Sequence, residues 1–439
     1  MSIDQKRQID PSRRRQYVGR IFAAALMAAT CAVAVAVPAP AMQAQAAPPS
    51  ALRLERVVML VRHGVRAPLD GEPTSLAREA WPVWPSPGGF LTPHGAEGMR
   101  LLGAYDRQRF ASMHLLPSQG CPAPGAVRIW TNAVERTIAS GEALARGLAP
   151  DCAIKVDHLP IGQDDPLFAW PGAGLPHFDA AAAVAAVSAQ TGGPAKLIAP
   201  YGETVRALET VLGCDQPGPT PTCDLAAAPG AITVSADGRG LDLTGPIRTT
   251  SGAAQVLMLE YVEGLPMDQV GWGRADPARL AQLSRLHALL FEVYSRPDYI
   301  APRVAGVLGH RLLAAVEGQD GPEPAPRLSL FVGHDDNIAA VTALLGVHFQ
   351  IPGYGQDDPP LGDALLFEVL KDRRSGQRYV RVLMQAQTPQ QLRDLTPLDL
   401  AHPPALLSLT PPGCIQPGTG LCRLADFSAL MSRRLTPTP

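Results

Sequence analysis

Residues 57–68 read Val-Val-Met-Leu-Val-Arg-His-Gly-Val-Arg-Ala-Pro, and no other stretch constrains the fold of this chain as tightly. The apolar run Val57 to Val61 has no polar face to turn to water, so it reads as a strand buried on both sides, the kind found in an open α/β sheet. Charge arrives abruptly where the run ends, with Arg62, His63 and Arg66. In open α/β sheets ligands sit in the crevice beyond the carboxyl ends of the strands, which places these three side chains at the mouth of a binding site. Gly64 lets the backbone turn sharply and approach a ligand, and Pro68 stiffens the exit. Two guanidiniums offer forked donors that match phosphate oxygens. A lone histidine near an arginine is ordinarily a surface or satisfied polar residue. A histidine between two arginines at a strand end is instead placed to attack a phosphoryl group.

A second element of the same kind lies far downstream. Leu328-Ser329-Leu330-Phe331-Val332 reads as another buried strand, followed by Gly333-His334-Asp335-Asp336-Asn337 and a helical pattern from Ile338. Together, Arg-His-Gly-x-Arg-x-Pro after one strand and His-Asp after another resemble the signatures of the histidine acid phosphatases. Similarity to the bacterial periplasmic branch of that family continues through Thr131-Asn132-Ala133-Val134-Glu135-Arg136-Thr137, Ala80-Trp81-Pro82, Gly89 to Pro93 and Thr388 to Asp394. It covers almost all of the chain beyond the N-terminal segment.

The resemblance implies a two-step hydrolysis of a small-molecule phosphomonoester. His63 attacks phosphorus, Arg62, Arg66, Arg136 and His334 bind the phosphoryl oxygens, Asp335 protonates the departing alcohol, and water then releases the phosphohistidine. No cofactor is implied, and no Cys-x-x-Cys pair exists to suggest a metal site. Neighbouring arginines disfavour another positive charge, so His63 should stay neutral in acid, while Asp335 needs a proton to act as an acid. One position departs from the family, which usually has Thr or Ser after the His-Asp pair where this chain has Asp336. If Asp336 faced the pocket it would raise the Asp335 pKa; the expectation here is that it caps the following helix.

Composition removes other classes. The chain has 439 residues, 46% hydrophobic and 18% charged, with a net charge of -2, so no nucleic-acid surface is expected and phosphate capture has to be local. Arg13, Arg14, Arg15 and Arg20 precede an Ala-rich run from Ile21 to Val37, and Ala44-Gln45-Ala46 offers a small-residue cleavage site. Residues 1–46 therefore read as a cleaved export signal, faintly twin-arginine in character, that leaves no stable membrane anchor. The destination expected is the periplasm. Of the seven cysteines Cys31 falls in that segment. Cys214 with Cys223, and Cys414 with Cys422, bracket short Pro/Gly-rich loops that a disulfide could close, leaving Cys121 and Cys152 as partners.

Strand-like runs fall at 57–61, 127–131, 153–156, 328–332, 364–370 and 379–385, whereas residues 178–303 read as helical and free of strands. The expected architecture is a three-layer α/β domain with a mixed, mainly parallel central sheet, built from residues 47–177 and 304–439. A mainly helical domain, 178–303, is inserted into it. The resemblance makes this phosphoglycerate-mutase-like.

For the substrate, Tyr261 to Gly273 looks like the glucose-1-phosphatases of the branch, which gives Glu263 the role of contacting a sugar. Asp70 and Glu72 place acids where phytases of the branch tend to be basic, so a sugar monophosphate such as glucose 1-phosphate is expected ahead of inositol hexakisphosphate. A phosphoglycerate-mutase-type phosphotransferase and a noncatalytic periplasmic sugar binder are further alternatives. Export argues against the first, and the second leaves the Arg62-His63 and His334-Asp335 pairs unexplained. The exported chain is expected to begin near Ala47 with all six remaining cysteines oxidised. Intact mass before and after reduction checks both statements, and free thiols would refute the second.

Overall fold

The computed structural model describes residues 51–169, 175, 178–215, 223–321 and 324–436; the expected export signal, 1–46, lies outside them. In chain order the strands are β1 (Leu52–Arg62), β2 (Val127–Thr131), β3 (Val156–Asp157), β4 (Ala231–Val234), β5 (Leu241–Thr244), β6 (Leu328–Gly333), β7 (Ala364–Asp372), β8 (Arg378–Ala386), β9 (Ala405–Leu409) and β10 (Cys422–Arg423). The helices are α1 (Pro93–Ser112), α2 (Glu135–Leu148), α3 (Ala180–Thr191), α4 (Pro194–Ile198), α5 (Gly202–Val211), α6 (Pro246–Val262), α7 (Pro277–Tyr294), α8 (Ala301–Val304), α9 (Gly306–Glu317), α10 (Asp335–Leu344), α11 (Pro389–Arg393) and α12 (Leu424–Leu435).

The main sheet has the order β10-β8-β7-β1-β6-β2-β3, with β9 paired to β8. Its register positions the chemistry. β1 runs parallel to β6 with Arg62 opposite Gly333, and β2 runs parallel to β6 with Thr131 opposite Val332. Three strands therefore end at one level, and the residues that leave them, His63, Asn132 and His334, emerge side by side. The sheet is mixed as expected, but not mainly parallel. β1, β6, β2 and β3 pair in parallel, whereas β7, β8, β9 and β10 add an antiparallel half. Antiparallel neighbours need only a tight turn between them, which residues 373–377 supply for β7 and β8.

Side-chain alternation along β1 builds the three layers. Val57, Met59 and Val61 pack with Met99 and Leu102 of α1 and Leu144 and Leu148 of α2. Val58 and Leu60 face the other way, into a cluster with Phe331 and Phe367 that also holds Leu257 of α6 and Leu283 of α7. In chain order we propose residues 178–303 as an insertion. In space its helices share a core with the sheet, and the described residues form one compact unit. The expectation that this segment lacks strands is corrected by the hairpin β4–β5, paired from Ala231↔Thr244 to Val234↔Leu241. Its strands bury only Ile232, Leu241 and Leu243, too few residues to stand out against the helical periodicity around them.

α1 and α2 cross so closely that two glycines carry the contact. A Cβ on Gly103 would lie 2.4 Å from the Leu144 carbonyl oxygen, and one on Gly147 would lie 2.0 Å from the Arg100 carbonyl oxygen. Neither neighbour is a flexible side chain that could move aside. Gly147→Ala is expected to cost about 1–3 kcal/mol of stability by forcing the helices apart, measured as a lower urea midpoint at constant m-value.

Candidate active site

His63 leaves the end of β1 and lines a cavity of about 900 Å³ together with Arg66, Arg136, His334 and Asp335. Its ring Nδ1 lies 2.8 Å from the Gly64 carbonyl oxygen. A carbonyl only accepts, so Nδ1 carries the proton and Nε2 is left with the lone pair a nucleophile needs. Gly64 serves packing rather than ligand approach, because a Cβ there would meet Met99 Cγ at 2.7 Å and the Gly95 carbonyl at 2.9 Å. The turn after β1 is thus pressed against the first turn of α1.

His334 precedes α10, and its backbone N–H donates to Asn337 Oδ1 (2.9 Å). Its ring tautomer follows from Asn132. The amide Oδ1 of Asn132 accepts from Ala133 N (2.8 Å), which turns the Nδ2 hydrogens toward His334 Nε2 at 2.7 Å. A neutral His334 therefore carries its proton on Nδ1, which lies 3.4 Å from Nη2 of Arg136. Two donors facing each other across this gap leave room for an anionic oxygen that satisfies both.

The other two arginines are held by carboxylates. Arg66 forms a fork with Glu72, Nη1 to Oε2 at 2.8 Å and Nη2 to Oε1 at 2.6 Å, and Glu72 also accepts from Leu69 N at 2.7 Å. Arg62 is 1% exposed; its Nη2 lies 2.6 Å from Asp335 Oδ2 and its Nη1 donates to the Pro359 carbonyl. Burial, aided by Arg136, Arg62, His334 and Arg66, pushes the His63 pKa well below 6.5. Burial and Arg136 push His334 down to about 3. Arg136 itself falls to about 10 through burial and the nearby Arg66. Burial would raise the Asp335 carboxyl, but Arg62 and His287 outweigh it and hold Asp335 below the usual carboxylate range. The repulsion expected to raise Asp335 falls instead on Asp336, which burial and Asp335 push up to about 7. Asp336 does not cap α10. It is the second residue of the helix and lines the cavity.

His287 is a residue of this site that the sequence did not mark. It sits on α7, its Nδ1 lies 2.6 Å from Asp358 Oδ1, and its Nε2 lies 4.0 Å from Asp335 Oδ2. A single histidine on an amphipathic helix carries no local signal, and Asp358 is 71 residues away in sequence.

The carboxylates assigned to the substrate are placed otherwise. Glu263 is not among the cavity-lining residues. α6 ends at Val262 and the chain reverses at Gly264, with φ +82°, so Glu263 Oε2 accepts from Thr92 Oγ1 at 2.6 Å, behind the start of α1. Burial pushes it up to about 7. Glu72 is engaged by Arg66, and Asp70 is exposed outside the lining. Cys121–Cys152, Cys214–Cys223 and Cys414–Cys422 are disulfide-bonded, with Cα–Cα distances of 5.5, 5.4 and 5.1 Å. Among the described residues no group of three or more His, Cys, Asp or Glu is arranged to hold a metal ion, and no helix is long and apolar enough to cross a membrane.

Residues 53–175 and 260–385 match the histidine phosphatase superfamily, branch 2, and these two blocks contain the residues gathered at the strand ends. Over 410 residues the chain is 35% identical to Phytase AppA of Escherichia coli (strain K12), covering 88% of this chain and 93% of that protein. It is 30% identical over 391 residues to the glucose-1-phosphatase of Providencia rettgeri, covering 87% and 92%. The solved structure of Hafnia alvei phytase in complex with tartrate superposes with a TM-score of 0.81 at 35% identity, covering 89% of this chain and 98% of that one.

Two outcomes follow from this geometry. Glu72→Gln removes the charge that holds the Arg66 fork, and kcat/KM for nitrophenyl phosphate should fall about 10- to 100-fold, equivalent to about 1.5–3 kcal/mol. An unchanged value would mean that Arg66 is positioned by other groups. A histidine with a depressed pKa stays neutral above that pKa. Neither His63 nor His334 should therefore make kcat/KM decline with the ordinary histidine pKa, and a fall with an apparent pKa near 6.5 would show that His63 titrates like an exposed histidine.

Proposed function

This chain belongs to branch 2 of the histidine phosphatase superfamily and is an acid phosphatase, and from that premise we propose that it hydrolyses phosphomonoesters through a phosphohistidine on His63. The observation that carries this reading is the His63 Nδ1 contact with the Gly64 carbonyl, which leaves Nε2 unprotonated in a cavity lined by guanidiniums. Nε2 gives its electron pair to phosphorus as the bond to the alcohol oxygen breaks. Arg62, Arg66, Arg136 and the Nδ1 hydrogen of His334 bind the three remaining oxygens, whose charge increases in the transition state. A carboxyl at the start of α10, which the resemblance assigns to Asp335, protonates the alcohol. Water then attacks the phosphohistidine, its proton returns to the carboxyl, and the N–P electron pair returns to Nε2.

For the substrate we favour inositol phosphates, among them inositol hexakisphosphate. A cavity of about 900 Å³ is near the upper end of small-molecule sites. Arg248 and Arg303 line it together with Asp164 and Asp242, cations suited to further phosphates beside carboxylates suited to free hydroxyls. A sugar monophosphate would be favoured by free carboxylates at Glu263, Asp70 and Glu72. None of the three offers the cavity a free carboxylate, so the repulsion they were expected to exert on a polyanion is gone. Glucose 1-phosphate is the second reading, supported by the 30% identity to a glucose-1-phosphatase. Export to the periplasm is supported by the three disulfides, which persist in an oxidising compartment.

Rapid quenching at neutral to alkaline pH should trap an acid-labile phosphoenzyme, and His63→Ala should abolish both the label and turnover. Retained labelling in that variant would overturn the nucleophile. With glucose 1-phosphate and inositol hexakisphosphate compared at one acidic pH and ionic strength, the inositol phosphate should have the higher kcat/KM. Arg248→Ala should lower its value about 10-fold more than that of glucose 1-phosphate. The opposite order of substrates would restore the sugar-phosphatase reading.

A further inference from the structure

The first two residues of α10 are both carboxylates, and both line the cavity. They are held differently. Asp335 has both oxygens engaged, Oδ2 with Arg62 Nη2 at 2.6 Å and Oδ1 with the backbone N–H of Asp336 at 2.9 Å. Asp336 accepts from Asn337 N at 2.8 Å through Oδ1. Its Oδ2 has no hydrogen-bond partner among the described residues, and the side chain forms no ion pair among them. The family position after the His-Asp pair usually carries a hydroxyl, which holds no transferable proton of comparable acidity.

We propose that Asp335 and Asp336 act as one carboxyl pair holding a single transferable proton, carried on Asp336 in the empty site, and that this proton protonates the departing alcohol. The inference rests on the phosphatase reading above and assigns its proton donor. Adjacent half-buried carboxylates resist ionising together, so one proton belongs to the pair. The groups facing the pair are Arg62 and Arg66 after β1, Arg136 on α2, His287 on α7, His334 before α10, and Asp363 before β7. Arg62, in direct contact with Asp335, decides which carboxyl is ionised. Burial and the charge of Asp335 both raise the Asp336 pKa above the usual carboxylate range, which favours the proton there.

The step balances. The His63 Nε2 lone pair forms the N–P bond, the P–O pair leaves with the alcohol oxygen, and that oxygen takes the shared proton, leaving two carboxylates. In the second half, attacking water loses a proton to the pair and phosphate departs as the N–P pair returns to Nε2. The consequence is a site that still holds its leaving-group proton near neutral pH, where a lone Asp335 beside Arg62 would have lost it.

The test is the pH profile of kcat/KM on 2-glycerophosphate, whose alkoxide needs a proton, against nitrophenyl phosphate, whose phenolate does not. Asp336→Asn and Asp336→Thr should move the basic limb for glycerophosphate down by about one pH unit or more. Each should also lose about 10-fold more on glycerophosphate than on nitrophenyl phosphate at pH 6. Asp336→Glu, which keeps a carboxyl, should restore much of the limb, and thermal unfolding of each variant identifies a folding defect. The double variant Asp335→Asn/Asp336→Asn should fall about 10-fold below Asp335→Asn alone on glycerophosphate. An unmoved basic limb in both Asp336 variants, or a double variant equal to Asp335→Asn, overturns the pair. Absence of a trapped phosphohistidine in the unmodified enzyme would instead overturn the phosphatase reading.

Discussion

Parallel pairing of β1 and β2 on either side of β6 is the constraint from which the rest of the site follows. With Arg62 opposite Gly333 and Thr131 opposite Val332, the chain leaves three neighbouring strands at one height. His63, Asn132 and His334 are then adjacent without any of them reaching. Because side chains alternate across a strand, a slip of one residue would turn Arg62 and His63 toward opposite faces and exchange the two buried layers built by Val57 to Val61. The same apolar pattern that stabilises the sheet therefore fixes the catalytic geometry. Close packing at Gly64 and at the α1–α2 crossing removes the slack that would let the strand ends drift.

Gathering three arginines and two histidines around one cavity is electrostatically costly, and the structure divides the cost. Arg66 and Arg62 each have a carboxylate partner, Glu72 and Asp335. Arg136 has none so close, and burial together with the nearby Arg66 lowers its pKa to about 10. The histidines respond by staying neutral, which serves a nucleophile at Nε2 and a hydrogen-bond donor at Nδ1 equally well. An arriving phosphoryl group supplies the missing negative charge, so its binding relieves repulsion already present in the empty site. That is preorganisation in the electrostatic sense: the donors are paid for by folding and need no rearrangement when charge develops.

The residues at the strand ends were legible because three local signals coincide there: an unbroken apolar run, an abrupt change to charge, and a glycine. β1, β2 and β6 to β8 carry the first of these signals, and α3, α5, α6 and α7 carry the helical one. β4 exposes three of its four residues and β5 two of its four, and both sit in a helical stretch, so their pattern is short and diluted. Glu72 and Glu263 were legible as carboxylates but not as to their partners. A side chain's partner depends on how loops fold back, and here the Leu69 to Glu72 turn folds onto Arg66 while the Gly264 reversal turns Glu263 toward Thr92. His287 and Asp358 meet only through packing of α7 against the 345–363 segment.

The division between what was readable and what was not follows the division of labour in the fold. Strand ends present atoms along directions set by backbone hydrogen bonds, so their chemistry follows from sequence order and register. The remaining walls of the cavity come from the 162–169 segment, from α6, α7, α8 and α9, and from the β4–β5 hairpin, whose approach to the sheet is set by side-chain packing with many near-equivalent solutions. Small changes in those helices would move Arg248, Arg303 or Asp242 relative to His63 while leaving the reacting atoms in place. One bond-breaking centre can therefore be combined with different walls. The similarity of this chain to both a phytase and a glucose-1-phosphatase fits such a separation between strand ends and cavity walls.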